Sequence, residues 1–154
     1  MVYKILDVKN IGDLRKEIAK LKNLEDLEIT VIAGDDVFNR QAVEIKGIGV
    51  LLFRDFYGRD KLKQRDSGLN QVICKIAREK GIKIGFDFLF IENSKIVDKE
   101  KADIFSRISQ NFRLCRKFNN NVRFFGKDNF NEVEIKSLLL NLGASTKMIK
   151  DSFV

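Results

Sequence analysis

The chain alternates short β-rich runs with longer stretches of helical periodicity from one end to the other. Repeated strand-helix-strand units constrain a fold strongly, because two parallel neighbouring strands need a long crossover between them and a helix is the usual one. "YKILDV" (3–8) reads as a strand, and Ile11, Leu14, Ile18 and Leu21 then mark one helical face at three- and four-residue spacing. "LEITVIA" (27–33) is the second strand. Asp35 and Asp36 are placed to cap a helix that runs to about Lys46 and stops at Gly47. "IGVLLF" (48–53) has the uncharged character of a strand covered on both faces. Leu69, Val72, Ile73, Ile76 and Ala77 form the apolar stripe of a helix ended by Gly81, and "IKIGFDFLF" (82–90) is a fourth strand. Asp98 can cap a long helix with Phe105, Ile108, Phe112 and Cys115 on its inner side, and "NVRFF" (121–125) is a fifth strand. Two short helices close the chain, one ending at Gly143 and one capped by Ser145. The class is α/β with about five parallel strands. Either an open doubly wound sheet or an arc of a (β/α) barrel fits, and periodicity does not separate them.

The 154 residues are enough for one hydrophobic core, so a single domain over 1–154 is expected. No apolar run reaches the roughly 18 residues that span a bilayer. "MVYKILDVKN" has neither the basic start nor the apolar middle of a secretory signal, so a cytoplasmic location is expected. Cys74 and Cys115 fall in different helices with no CxxC partner, which predicts reduced, buried thiols and neither a zinc site nor a redox pair. Histidine is absent, which removes Ser-His and Cys-His nucleophiles and His-ligated zinc. No strand is followed by GxGxxG or GxxxxGK[ST], so nucleotide-binding versions of the fold have no support. Twenty-nine Lys and Arg against twenty-two Asp and Glu give a net charge of +7, which favours a polyanionic partner.

In either α/β architecture, function gathers at the C-terminal ends of the strands. The segment after "IGVLLF" carries Arg54, Arg59, Lys61, Lys63 and Arg65 interleaved with Phe56 and Tyr57, and it leads to Ser67 and Gly68. With Ser67 as N-cap, backbone N–H groups from Gly68 to Asn70 would offer a phosphate seat. The basic side chains would neutralise phosphates, and an aromatic ring would stack on an unpaired base. Gln71, Lys75, Arg78 and Lys80 extend the surface along the next helix, and Arg40 is placed near the same edge. The competing reading is a capped helix start with solvated lysines. Arg107, Arg113, Arg116 and Lys117 read as a solvated face of the long helix. Asp35, Asp36, Asp55, Asp87 and Glu92 lie near strand ends, but no pair has metal-site spacing.

"NRQAVEIKGIGVLLF" followed by "RDSGLNQVICKIAREKGIKIGFDF" resembles the archaeal and eukaryotic ribonuclease P protein component 3 family. Asn39, Arg40, Ala42, Val43 and Glu44 match its first helix. Arg65 to Asn70 match its turn, Lys75 its next helix, and Gly85 and Phe86 its Gly-Phe strand. The resemblance covers most of the chain and implies an incomplete TIM-like (β/α) barrel lacking the N-terminal βα units of the family. Terminal segments, a partner chain or a self-dimer would then close its edges. It implies a non-catalytic RNA-binding subunit that supports the RNA-catalysed removal of the 5′ leader from precursor tRNA. The implied partners are ribonuclease P RNA, precursor tRNA, protein component 2, in a homodimer or a heterotetramer, and the other ribonuclease P proteins. No membrane partner and no protein-bound cofactor are implied; Mg²⁺ serves the RNA. Arg65, Asn70 and Lys75 carry over as RNA contacts or loop-shaping residues. Gln71 stands where the family commonly has histidine, so a histidine-specific contact does not carry over. The alternative from another class is a metal-dependent phosphoesterase on a related barrel.

Overall fold

A computed structural model describes residues 2–54 and 66–152. Five strands, β1 (Val2–Leu6), β2 (Leu27–Ile32), β3 (Ile48–Phe53), β4 (Lys83–Asp87) and β5 (Val122–Phe125), form one parallel sheet in sequential order. Helices α1 (Ile11–Leu21), α2 (Asp36–Glu44), α3 (Gln71–Lys80) and α4 (Asp98–Phe118) connect them, and α5 (Glu132–Asn141) and α6 (Thr146–Ser152) follow β5. A doubly wound sheet reverses its strand order at a switch point. Here the order never reverses, and crossovers of one hand then put every connecting helix on the same face. The molecule is therefore a partial TIM-like barrel.

The helix-facing side of the sheet builds the core. Leu6, Val31, Leu51, Phe53, Ile84, Phe86, Val122 and Phe124 pack against Leu14, Ile18, Val43, Ile73, Ile108 and Phe112. Phe86 meets Phe112 edge to face at 4.9 Å, and Phe112 meets Phe124 at 5.8 Å. Strands covered on both faces must be apolar throughout, which explains "IGVLLF".

The other face is concave, and its curvature is visible in one contact. In a flat sheet β1 and β5 would be four spacings, roughly 19 Å, apart. Yet the rings of Tyr3 on β1 and Phe125 on β5 lie 6.4 Å apart, edge to face. Arg123 lies beside both, its Cζ 5.5 Å from the Tyr3 ring and 5.2 Å from the Phe125 ring. Arg123 also donates to Glu28 on β2, and Lys83 on β4 donates to the same carboxylate at 2.9 Å. To reach both cations the Glu28 side chain lies across β3 at Gly49, where a Cβ would come within 2.6 Å of its Cγ. Gly49 is also the extra residue of a bulge, because Ile29 pairs with Ile48 while Thr30 pairs with Val50.

The two edges are β1 and β5. Asn121 and Phe125 carbonyls bond to β4, so by alternation the Val122 carbonyl points outward; the Ser152 hydroxyl of α6 donates to it at 2.9 Å. Helix α6 thus covers the start of the β5 edge, which bears on the sequence expectation of an edge needing closure.

Elements fall where the sequence reading places them, with β1 ending at Leu6 rather than Val8 and Asp98 the first residue of α4 after a Val97 cap; two further shifts in this part of the fold have a visible cause. Helix α2 ends at Glu44, not near Lys46, because Ile45 turns extended and packs against the core. Strand β4 stops at Asp87, three residues early, because the Asp87 carboxylate accepts from Leu89 N–H at 2.9 Å and folds the chain into a 3₁₀ turn that buries Phe88 and Phe90. Cys74 of α3 and Cys115 of α4 are free and buried, as expected. The structure adds that they touch: a hydrogen bond with Cys74, then burial, pushes the Cys115 thiol well above its ordinary range.

Two outcomes are expected. Gly49→Ala forces Glu28 off its path and lowers stability by about 1–3 kcal/mol, read from urea denaturation. Native protein leaves both thiols unreacted with an alkylating reagent at neutral pH. A thiol whose pKa is raised by folding supports stability fully below its ordinary value of 9.0, so stability falls only as pH rises beyond that; reaction of both thiols in native protein at pH 7 would contradict the buried contact.

Candidate nucleic-acid interface

The C-terminal ends of β3 and β4 and the start of α3 carry the predicted basic surface. Asp55, Phe56, Tyr57, Arg59, Lys61, Lys63 and Arg65 lie outside the described residues. The turn that follows them, 66–70, is fixed by a side chain from the neighbouring helix. Asn39 of α2 is fully buried; its Nδ2 donates to the carbonyls of Gly34 at 3.0 Å and Gly68 at 2.9 Å, and its Oδ1 accepts from Gly34 N–H at 2.7 Å. One amide therefore fastens the β2–α2 loop to the turn before α3. Gly68 has φ +73°, and a Cβ there would sit 2.9 Å from Asn39 Nδ2 and 3.1 Å from the Gly34 carbonyl. Both the conformation and the space require glycine.

Ser67 is not the N-cap expected from the sequence. It is buried, with its hydroxyl donating to Leu69 O at 3.5 Å and accepting from Gln110 of α4 at 3.3 Å. The cap is Asn70, whose Oδ1 accepts from Ile73 N–H at 3.0 Å, so α3 starts at Gln71. The first turn that a phosphate would meet is thus three residues further on than the sequence suggested. Gly68 N–H turns instead to the Asp66 carboxylate, at 3.4 Å.

Gln71, Lys75 and Arg78 are exposed along α3, together with Lys80, whose ammonium donates to Glu44 O at 2.5 Å. Arg40 follows Asn39 on α2 and pairs with Glu44 of its own helix at 3.1 Å. Arg54 directly follows β3, and its Nε donates to Asp87 Oδ2 at 2.9 Å. That pair has one buried member, since the Asp87 side chain is 2% exposed and the Arg54 side chain 37%. The structure thus gathers Ser67, Gly68, Asn70, Gln71, Lys75 and Arg78 on one turn and helix, with Arg54 at the adjoining strand end. On α4, Arg107 is 8% exposed and does not belong to a solvated face.

Three of the carboxylates considered for a metal are otherwise engaged. Asp35 caps α2 by accepting from Phe38 N–H at 2.7 Å, Asp87 holds Arg54, and Glu92 accepts from Asn129 at 3.2 Å. Among the described residues, no three acidic or sulfur ligands converge. Sequence reasoning named Asn39 only as part of a motif; its signal was an amide within the otherwise apolar inner face Phe38, Ala42, Val43. Nothing local in the sequence marks Gln110 as the partner of Ser67.

The fold and this strand-end turn define a partial (β/α) barrel with a basic α3 rim. The chain is 31% identical to ribonuclease P protein component 3 of Methanosarcina acetivorans over 110 residues, which are 71% of this chain and 42% of that protein. A chain in the cryo-EM structure of archaeal ribonuclease P with mature tRNA matches with a TM-score of 0.76 at 20% identity, over 98% of this chain and 63% of that one. No family model matches. The chain is thus a relative of ribonuclease P protein component 3, as its sequence suggested, and it spans less than half the length of that curated relative. The phosphoesterase alternative finds no support in these likenesses. Among the described residues, no helix is long and apolar enough to cross a membrane.

Asn39→Ala would leave the Gly34 amide and Gly68 carbonyl without their buried partner and cost on the order of 2 kcal/mol or more. Urea unfolding should show the loss at an unchanged m-value; a change within 0.5 kcal/mol, the ordinary surface range, would contradict the fastening role.

Proposed function

We propose that this chain is a non-catalytic, RNA-binding protein subunit of ribonuclease P that supports the catalytic RNA in removing the 5′ leader from precursor tRNA. The observation that carries the reading is the immobilised turn 66–70 feeding a helix that presents Gln71, Lys75 and Arg78 outward. Its likeness to component 3 supplies the context. Cations held at fixed positions lower the repulsion between RNA segments and replace part of the Mg²⁺ the RNA would need. Arg54, Asn70 and Arg40, and the basic residues Arg59, Lys61, Lys63 and Arg65, belong to the same proposed surface. Association with protein component 2, as a pair or in a heterotetramer, with the other ribonuclease P proteins and in the cytoplasm, is part of the proposal. The protein supplies no cofactor site in this reading.

The test is precursor-tRNA cleavage by ribonuclease P RNA and component 2, with and without this chain, as Mg²⁺ is lowered. Addition of the chain should raise activity at low Mg²⁺. Lys75→Ala with Arg78→Ala should weaken RNA binding and reduce its salt slope by about two, one for each phosphate that loses its neutralising cation. No stimulation at any Mg²⁺ concentration would refute the reading.

A further inference from the structure

The basic surface does not end on α3. Helix α4 packs beside α3 through Cys74 and Cys115, and from the middle of α4 Gln110 reaches Ser67 just before α3. Lower down, the Lys75 ammonium of α3 lies 5.8 Å from the centroid of the Phe118 ring of α4, and the Lys117 ammonium lies 5.5 Å from the same centroid. Phe118 is half-buried, and both lysines are exposed. From Ser67 to Arg78 the chain has no carboxylate, and from Ile104 to Phe118 it has four cations and none. Glu79, four residues beyond Lys75 and on the same exposed side of α3, is the first carboxylate met along that helix. Above that turn the facing walls of the α3/α4 groove, Ser67 to Arg78 and Ile104 to Phe118, are cationic and amide-bearing with no carboxylate of their own.

Two like charges drawn to one ring repel each other. A cation–π contact at an exposed site returns only about 0.5–1 kcal/mol each, and no carboxylate of either facing stretch relieves the repulsion. An anion between the two ammoniums would do so. From Gln71 to Arg78 the groove runs about 10 Å, long enough for a short stretch of one RNA strand and longer than a single inorganic anion. An apolar ring at its floor suits the sugar or base edge of a nucleotide better than a bare inorganic ion.

We infer that the α3/α4 groove is a second contact for the RNA backbone, with Lys117 as a phosphate ligand and Phe118 as its apolar floor. It rests on the RNA-binding reading above and lengthens that surface from the strand-end rim down the outer wall of the arc.

The probe is a transcript of the catalytic domain of ribonuclease P RNA, bound by the full chain at several salt concentrations. Lys117→Gln should weaken binding about 3- to 10-fold and lower the salt slope by about one. Phe118→Leu, which keeps an apolar side chain and guards against a folding artefact, should weaken binding with little change in slope. Lys20→Gln on α1 removes the same charge elsewhere and should change neither. If the unaltered chain binds and Lys117→Gln and Phe118→Leu bind equally well, the groove contact is wrong while the rim stands. If Lys117→Gln leaves RNA affinity alone but weakens association with component 2, the groove is a protein surface and the inference falls. Failure of the unaltered chain to bind overturns the parent reading and this one together.

Discussion

The structure depends on a carboxylate laid across a strand. Glu28 passes over Gly49 to meet Lys83 and Arg123, joining β2 to β4 and β5 on the inside of the curve. Arg123 in turn lies against two rings that belong to the two edge strands. A parallel sheet twists of its own accord, but bringing opposite edges into contact requires groups inside the curve that hold one another. Three charges, two rings and one missing Cβ do so here. The helix-facing side of the sheet can then be mostly aliphatic and phenylalanine, because the charges that hold the curve lie on the other side.

That curvature decides where function can sit. Bending the sheet spreads the C-terminal strand ends along a rim and brings successive loops side by side, so a residue on α2 can hold the turn before α3. Asn39 does this with its Nδ2, which donates to the Gly68 carbonyl while its Oδ1 accepts from Gly34 N–H, and Gly68 is shaped to receive it. The Arg54–Asp87 pair ties β3 to β4 at the same rim. The basic side chains of α3 therefore project from a fixed base, and electrostatic contacts made from fixed positions lose less entropy on binding than those made from loose ones.

Much of this was legible in the sequence. Strands and helices announced themselves by period, and β3 lies where its uncharged run placed it. The sequential order of strands was not legible, because the same alternation serves a doubly wound sheet. "IKIGFDFLF" reads as one strand since burial of Phe88 and Phe90 is as well served by a turn as by an extended chain, and the side chain of Asp87 makes that choice. The basic region was found from charge, whereas the capping residue was misplaced: Ser67 and Asn70 are both good caps, and only the distant Gln110 draws the serine hydroxyl inward. Glu28, Lys83 and Arg123 are far apart in sequence, and nothing short of the register reveals them as one cluster.

Hydroxyl-radical footprinting of the chain bound to ribonuclease P RNA tests the central claim most directly, since it reports which face the RNA covers. The account predicts protection of the turn 66–70, of α3 and of the outward face of α4 from Gln110 to Phe118, with α1 and Tyr3 as reactive as in the free protein. Protection centred on α1 or the β1 edge, with α3 unchanged, would contradict it.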